Sequence, residues 1–143
     1  MKKISLCFLF VLSAVYGYSQ ADESIPFVTF SEITMNLTFP EYRTLKSDGG
    51  FVEIDGGVRG IIVYRVDATT YMAYERNCPY RASEACAQVE VDLSKIFLID
   101  RCCGSTFNFA DGYPMSGPAS RPLRRYRTTL AGALLSISDE VVN

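Results

Sequence analysis

Cysteine is the side chain with the most chemistry to offer here, and the chain contains no histidine to share the work. Cys78, Cys86, Cys102 and Cys103 fall in one stretch of the sequence, apart from Cys7 near the start. Thiolates can pair as disulfides, ligate soft metals and iron–sulfur clusters, or act as nucleophiles. Three uses therefore compete. An even count in an exported chain favours disulfides, although a bond between the adjacent Cys102 and Cys103 is strained. Zinc held by all four would need both vicinal cysteines, against normal ligand spacing. Arg76, Arg81 and Arg101 lie near the cysteines and would lower a thiol pKa, but there is no Cys-x-x-Cys motif.

Other chemistries are quickly reduced. Without histidine there is no Ser-His-Asp or Cys-His nucleophile and no imidazole acid or base. The glycines make no nucleotide-binding loop, and the acidic residues show no glycosidase-like pairing. An enzyme is thus less expected than a binding or carrier protein. Arg121, Arg124, Arg125 and Arg127 form the one basic cluster. It reads as the solvated face of an edge strand, or more sharply as a docking patch for an acidic partner or anionic lipid.

The elements that must position these residues begin after a leader. Lys2 and Lys3, an apolar run over residues 4–16 and the small Gly17 and Ser19 predict a secretory signal over residues 1–20. That run is too short to span a bilayer comfortably. Cleavage leaves one domain over residues 21–143, with no transmembrane span and an exported, periplasmic or envelope location. It also removes two lysines, leaving 12 basic against 16 acidic residues, a net charge of −4. An acidic chain argues against non-specific nucleic-acid binding. Alternating apolar residues predict a strand over 30–39, stopped by Pro40. Further strands are expected over 51–54, 60–66, 71–75, 89–91, 96–99, 106–109, 124–129 and 134–137. Asp55-Gly56-Gly57 marks a turn, and residues 82–87 could form one helical turn. Regularly spaced short strands without a long helix predict an all-β fold.

Certain motifs go further. Asp100-Arg101-Cys102-Cys103-Gly104-Ser105-Thr106-Phe107 resembles the second cluster-binding loop of the Rieske iron–sulfur family. Gly117-Pro118-Ala119 and Pro122-Leu123 resemble its proline loop, and Cys78-Pro79-Tyr80 after an aromatic strand resembles its first loop. The resemblance covers about residues 57–137. It implies a Rieske-like fold of three small antiparallel sheets, with a loop sub-domain over residues 78–122.

A Rieske centre takes one cysteine and one histidine from each loop. By resemblance, Cys78 keeps the first cysteine place and Tyr80 stands at the first histidine. Asp100 stands at the second cysteine, and Cys103 at the second histidine. Tyr80 is the phenol that could fill vacant ligand space. Respiratory members join the loops by a disulfide whose second cysteine matches Cys102, with Cys86 as its partner. Cys78–Cys103 would then close the cluster space, while the crossed pairing Cys78–Cys102 with Cys86–Cys103 stays open. The implied function is a non-enzymatic, disulfide-stapled module for an unknown protein partner or envelope complex, with no cofactor favoured. The alternative is an electron-transfer protein with an atypical [2Fe–2S] cluster, or a metal at Cys78, Cys103 and Asp100.

Overall fold

A computed structural model describes residues 24–142. The expected signal segment, residues 1–20, lies outside the described residues. Among the described residues, ten strands form two antiparallel sheets rather than three. The larger sheet contains β1 (Ile33–Asn36), β2 (Phe51–Ile54), β3 (Ile61–Arg65), β4 (Tyr71–Glu75), β9 (Arg125–Ala131) and β10 (Leu134–Val141). Its order is β1-β10-β9-β4-β3-β2. The smaller sheet runs β5 (Val89–Val91), β6 (Leu98–Asp100), β7 (Thr106–Phe107) and β8 (Pro114–Ser116) in sequence order.

Strands β3 and β4 sit between two cores, which is why both faces are apolar. In register, Ile62 opposes Tyr74 and Val63 opposes Ala73. Successive side chains leave a strand on opposite faces. Ile61, Val63, Tyr71 and Ala73 join Met35, Leu45, Tyr126, Leu135 and Ile137 on one side. Ile62 and Tyr74 join Cys78, Val89, Leu98, Phe107 and Leu123 on the other. The small sheet thus packs on the large one through the second core, and Cys78 belongs to that core.

Several elements differ from the sequence expectation: β8 has no expected counterpart, and β7 is shorter and β10 longer than expected. The alternating run over residues 30–39 is a strand only over Ile33–Asn36, and Pro40–Lys46 is a 3-10 helix. Proline at its start fits the fixed φ of a first helical turn, and Leu45 from this helix is fully buried in the first core. The strand expected over 96–99 begins instead at Leu98, leaving Ile96 72% exposed in the β5–β6 turn.

Candidate functional site

Loop one joins β4 to β5, and loop two joins β6 to β7. Cys78 lies just past β4, where its N–H donates to Ala87 O at 3.1 Å and its side chain is fully buried. Asp100 ends β6 and pairs with Val89. Loop two closes tightly on it: Asp100 N–H donates to Ser105 O (2.9 Å), and Gly104 N–H donates to Asp100 O (2.8 Å). The turn puts Gly104 at φ +76°, which glycine adopts readily. Cys103 is carried in this turn, half-buried.

Between the loops, the Cys78 and Cys103 sulfurs and an Asp100 carboxylate oxygen all lie within 4.8 Å of one another. The Cys103 thiol is 3.2 Å from Asp100 Oδ2 and 3.1 Å from Ser105 Oγ. Asp100 Oδ1 accepts the Cys102 backbone N–H at 2.8 Å. Burial pushes the Cys78 thiol far above its ordinary range, and its hydrogen bond to Asp100 adds to this. A hydrogen bond from the Tyr80 backbone acts in the opposite direction. Burial and the Asp100 contact thus both favour the neutral thiol at Cys78 over the nucleophilic thiolate.

Cys86 and Cys102 are joined by a disulfide with Cα atoms 5.6 Å apart, tying loop one to loop two. Cys78 and Cys103 are free thiols, which corrects the expected second bridge and leaves no place for the crossed pairing. The reason lies in the contacts: Asp100 and Ser105 take the Cys103 thiol, and Asp100 takes that of Cys78.

The proline loop covers loop two. Ser105 is fully buried and its Oγ accepts the Ala119 N–H at 3.0 Å. Gly117 has φ +91°, and a Cβ there would lie 2.5 Å from Ser105 Cα. Only glycine lets the two backbones come this close. Tyr80, Arg81, Glu84, Asp100, Cys103 and Pro118 line a pocket of about 220 Å³ beside the thiols. Tyr80 thus borders this pocket, with the Arg81 guanidinium over its ring at 5.3 Å.

Residues invisible to motif reading fasten loop one. The fully buried Glu75 carboxylate accepts N–H groups from Val58 (2.8 Å), Arg59 (3.0 Å) and Asn77 (3.0 Å), and the Tyr126 hydroxyl (2.8 Å). The Arg59 guanidinium bonds Asn77 Oδ1, Ala85 O and Glu84 O. Asn77 Nδ2 donates to Cys78 O (3.1 Å) and Ala82 O (3.2 Å). Charge-bearing groups thus hold the backbone that presents Cys78 and Cys86. Glu75 at the end of an apolar strand, followed by Asn77 before the cysteine, was the available signal.

The arginines expected as a docking patch are bonded within the chain. Arg124 donates to Pro26 O and Ile25 O and lies over the Phe27 ring. Arg125 donates to Val142 O, and Arg127 pairs with Glu140. Arg121 also has an interaction partner and borders a groove with Ile25 and Arg124. Arg124 thus holds the lead-in segment, and Arg125 and Arg127 tie β9 to β10 and the residue after it.

No family model matches the sequence, and no curated protein does. Among solved structures, the chain is similar to one in a complex of reduced oxygenase and oxidized ferredoxin in carbazole 1,9a-dioxygenase. Identity is 21%, with a TM-score of 0.51, over 68% of this chain and 87% of that one. The ferredoxin of carbazole 1,9a-dioxygenase from Nocardioides aromaticivorans IC177 matches at 18% identity and TM-score 0.46, over 66% of this chain and 91% of that one. The Sphingomonas yanoikuyae B1 ferredoxin matches at 18% and 0.45, over 64% and 87%. The first likeness concerns the fold alone. With the two antiparallel sheets and the loop pair, it makes the fold of this chain Rieske-like.

Proposed function

We propose that the protein is an exported, non-enzymatic module of Rieske-like fold that binds a protein partner through its loop end, in the periplasm or cell envelope. It does so without a standard His- and Cys-ligated [2Fe–2S] cluster. One feature carries this reading: the residues that match the four ligand places of the family by resemblance are Cys78, Tyr80, Asp100 and Cys103. Protein-bound clusters of this type use four cysteines, or two cysteines and two histidines. A carboxylate and a phenol do not fit that set, and Cys103 contacts Asp100 directly at 3.2 Å.

The loop end is nevertheless built rigidly, by the Cys86–Cys102 bond, the Arg59 clamp and the Ser105–Gly117 contact. A held surface loses little freedom on binding, which favours recognition. The similar solved structure is a complex of an oxygenase with a ferredoxin, and a protein partner is the corresponding reading here. Among the described residues, no helix is long and apolar enough to cross a membrane.

A second reading, an electron carrier with an atypical cluster, is favoured by the convergence of two thiols and a carboxylate where this fold class presents its loops. Two measurements on protein from its native compartment separate them. Acid-labile sulfide should be absent, and a photo-crosslinker replacing Arg81 should join one protein that a crosslinker at Leu93 does not reach. Leu93 lies in the β5–β6 turn, at the opposite end of the small sheet. Stoichiometric iron and sulfide, with a visible cluster spectrum, would make the protein an electron carrier instead.

A further inference from the structure

We propose that Cys78, Asp100 and Cys103 bind a single thiophilic divalent ion of the zinc class. Donors from two separate loops converge here, with all three ligand atoms within 4.8 Å. With metal–ligand bonds of about 2.0–2.3 Å, ligands of one tetrahedral ion lie about 3.5–3.8 Å apart. The observed 3.2 Å between Cys103 Sγ and Asp100 Oδ2 needs only a small outward movement to reach that spacing. Two thiolates and a carboxylate also suit zinc chemically.

The surroundings are those of a prepared site. Metal ligands are generally oriented by outer hydrogen bonds. Cys103 has Ser105 Oγ, Asp100 has the Cys102 N–H, and Cys78 has a hydrogen bond from the Tyr80 backbone. Cys86 and Cys102 are committed to their disulfide, which holds the ligand-bearing loops together and leaves two thiols for the ion. Three protein ligands leave a fourth position, as in zinc sites that admit water or a small ligand. The pocket bordered by Tyr80, Arg81, Glu84 and Pro118 opens beside Asp100 and Cys103, giving that position a route to solvent.

The test uses the full exported chain with the Cys86–Cys102 bond intact. Cobalt(II) should give sulfur-to-metal charge-transfer absorption saturating at one equivalent per chain, and zinc(II) should bleach it. Saturating zinc should slow maleimide labelling of Cys103 at least about tenfold, a reading on wild-type protein that needs no variant. Cys103→Ser should weaken zinc binding by about 100-fold or more, and Asp100→Asn by about 10–100-fold, on the scale of lost metal-site groups. The proposal is overturned by absence of a thiolate band, by failure of zinc to protect Cys103, or by unchanged affinity in Cys103→Ser. Recovery of the exported protein with Cys78 and Cys103 bonded to each other overturns it as well. Labile sulfide would sink the cluster-free reading of the protein, whereas failed zinc binding sinks only this one.

Discussion

The Cys103 thiol lies 3.2 Å from the fully buried Asp100 carboxylate, so the two loop-two ligand positions touch each other. Cys78 reaches the same carboxylate from loop one. One acidic side chain therefore organises both free thiols.

The disulfide should be the main covalent support of the loop end. Cys86 and Cys102 are 16 residues apart, and closing a loop of about that length stabilises by about 3 kcal/mol in the chain-entropy model. The double variant Cys86→Ser, Cys102→Ser should show a urea midpoint lowered accordingly. An unchanged midpoint would mean that the bond does not constrain the unfolded chain.

Glu75 should matter more than any exposed ion pair. Glu75→Ala leaves three backbone N–H groups and the Tyr126 hydroxyl without their acceptor. Each orphaned buried donor costs about 1–3 kcal/mol, so the expected loss is at least about 3 kcal/mol. Arg127→Ala removes an exposed, solvent-screened pair with Glu140 and should leave the denaturation midpoint almost unchanged. Chemical denaturation of the two variants checks the contrast.

Gly117→Ala should loosen the proline loop without emptying either core. Its Cβ would meet Ser105 Cα at 2.5 Å at a φ of +91°, so the loop must withdraw and the Ala119 bond to Ser105 Oγ should break. Cys103, half-buried beneath it, should then alkylate several-fold faster than in wild type. Equal rates would show that this loop does not shield the thiol.

Alkaline pH should destabilise the protein. Burial raises the Tyr74 and Tyr126 hydroxyls well above their ordinary pKa, with the Glu75 hydrogen bond adding to the shift at Tyr126. The unfolded chain releases these protons near pH 10, and the folded one holds them. Their contribution is therefore complete below about pH 10 and lost as pH rises beyond it. The urea midpoint should fall between pH 9 and pH 11, and Tyr74→Phe should make that fall shallower.

Local pattern carried the fold further than it carried the site. A β-branched apolar run located β3, alternation located β4, and Asp55-Gly56-Gly57 marked the turn between β2 and β3. The 3-10 helix at Pro40 was hidden because Leu37 and Phe39 continue the preceding alternation, while only Leu45 is drawn fully into the core. Strand β8 has three residues, starts with proline and pairs at an irregular register, so it leaves no periodic signal. In the site, the resemblance to the Rieske loops brought Cys78, Asp100 and Cys103 into one frame. It gave no hint that Asp100 would bond both thiols, since that depends on loop two turning back through Ser105. The Glu75–Arg59–Asn77 clamp depends on partners from β4, the β2–β3 turn and loop one, whose meeting is decided only by sheet pairing.

Acid-labile sulfide per chain, measured on protein purified without reconstitution from its native compartment, tests the central claim most directly. A Rieske-like scaffold whose loops hold Cys78, Asp100 and Cys103 as a remade site should contain none. Two sulfides per chain, accompanied by two irons, would contradict the account and restore the two-iron cluster to these loops.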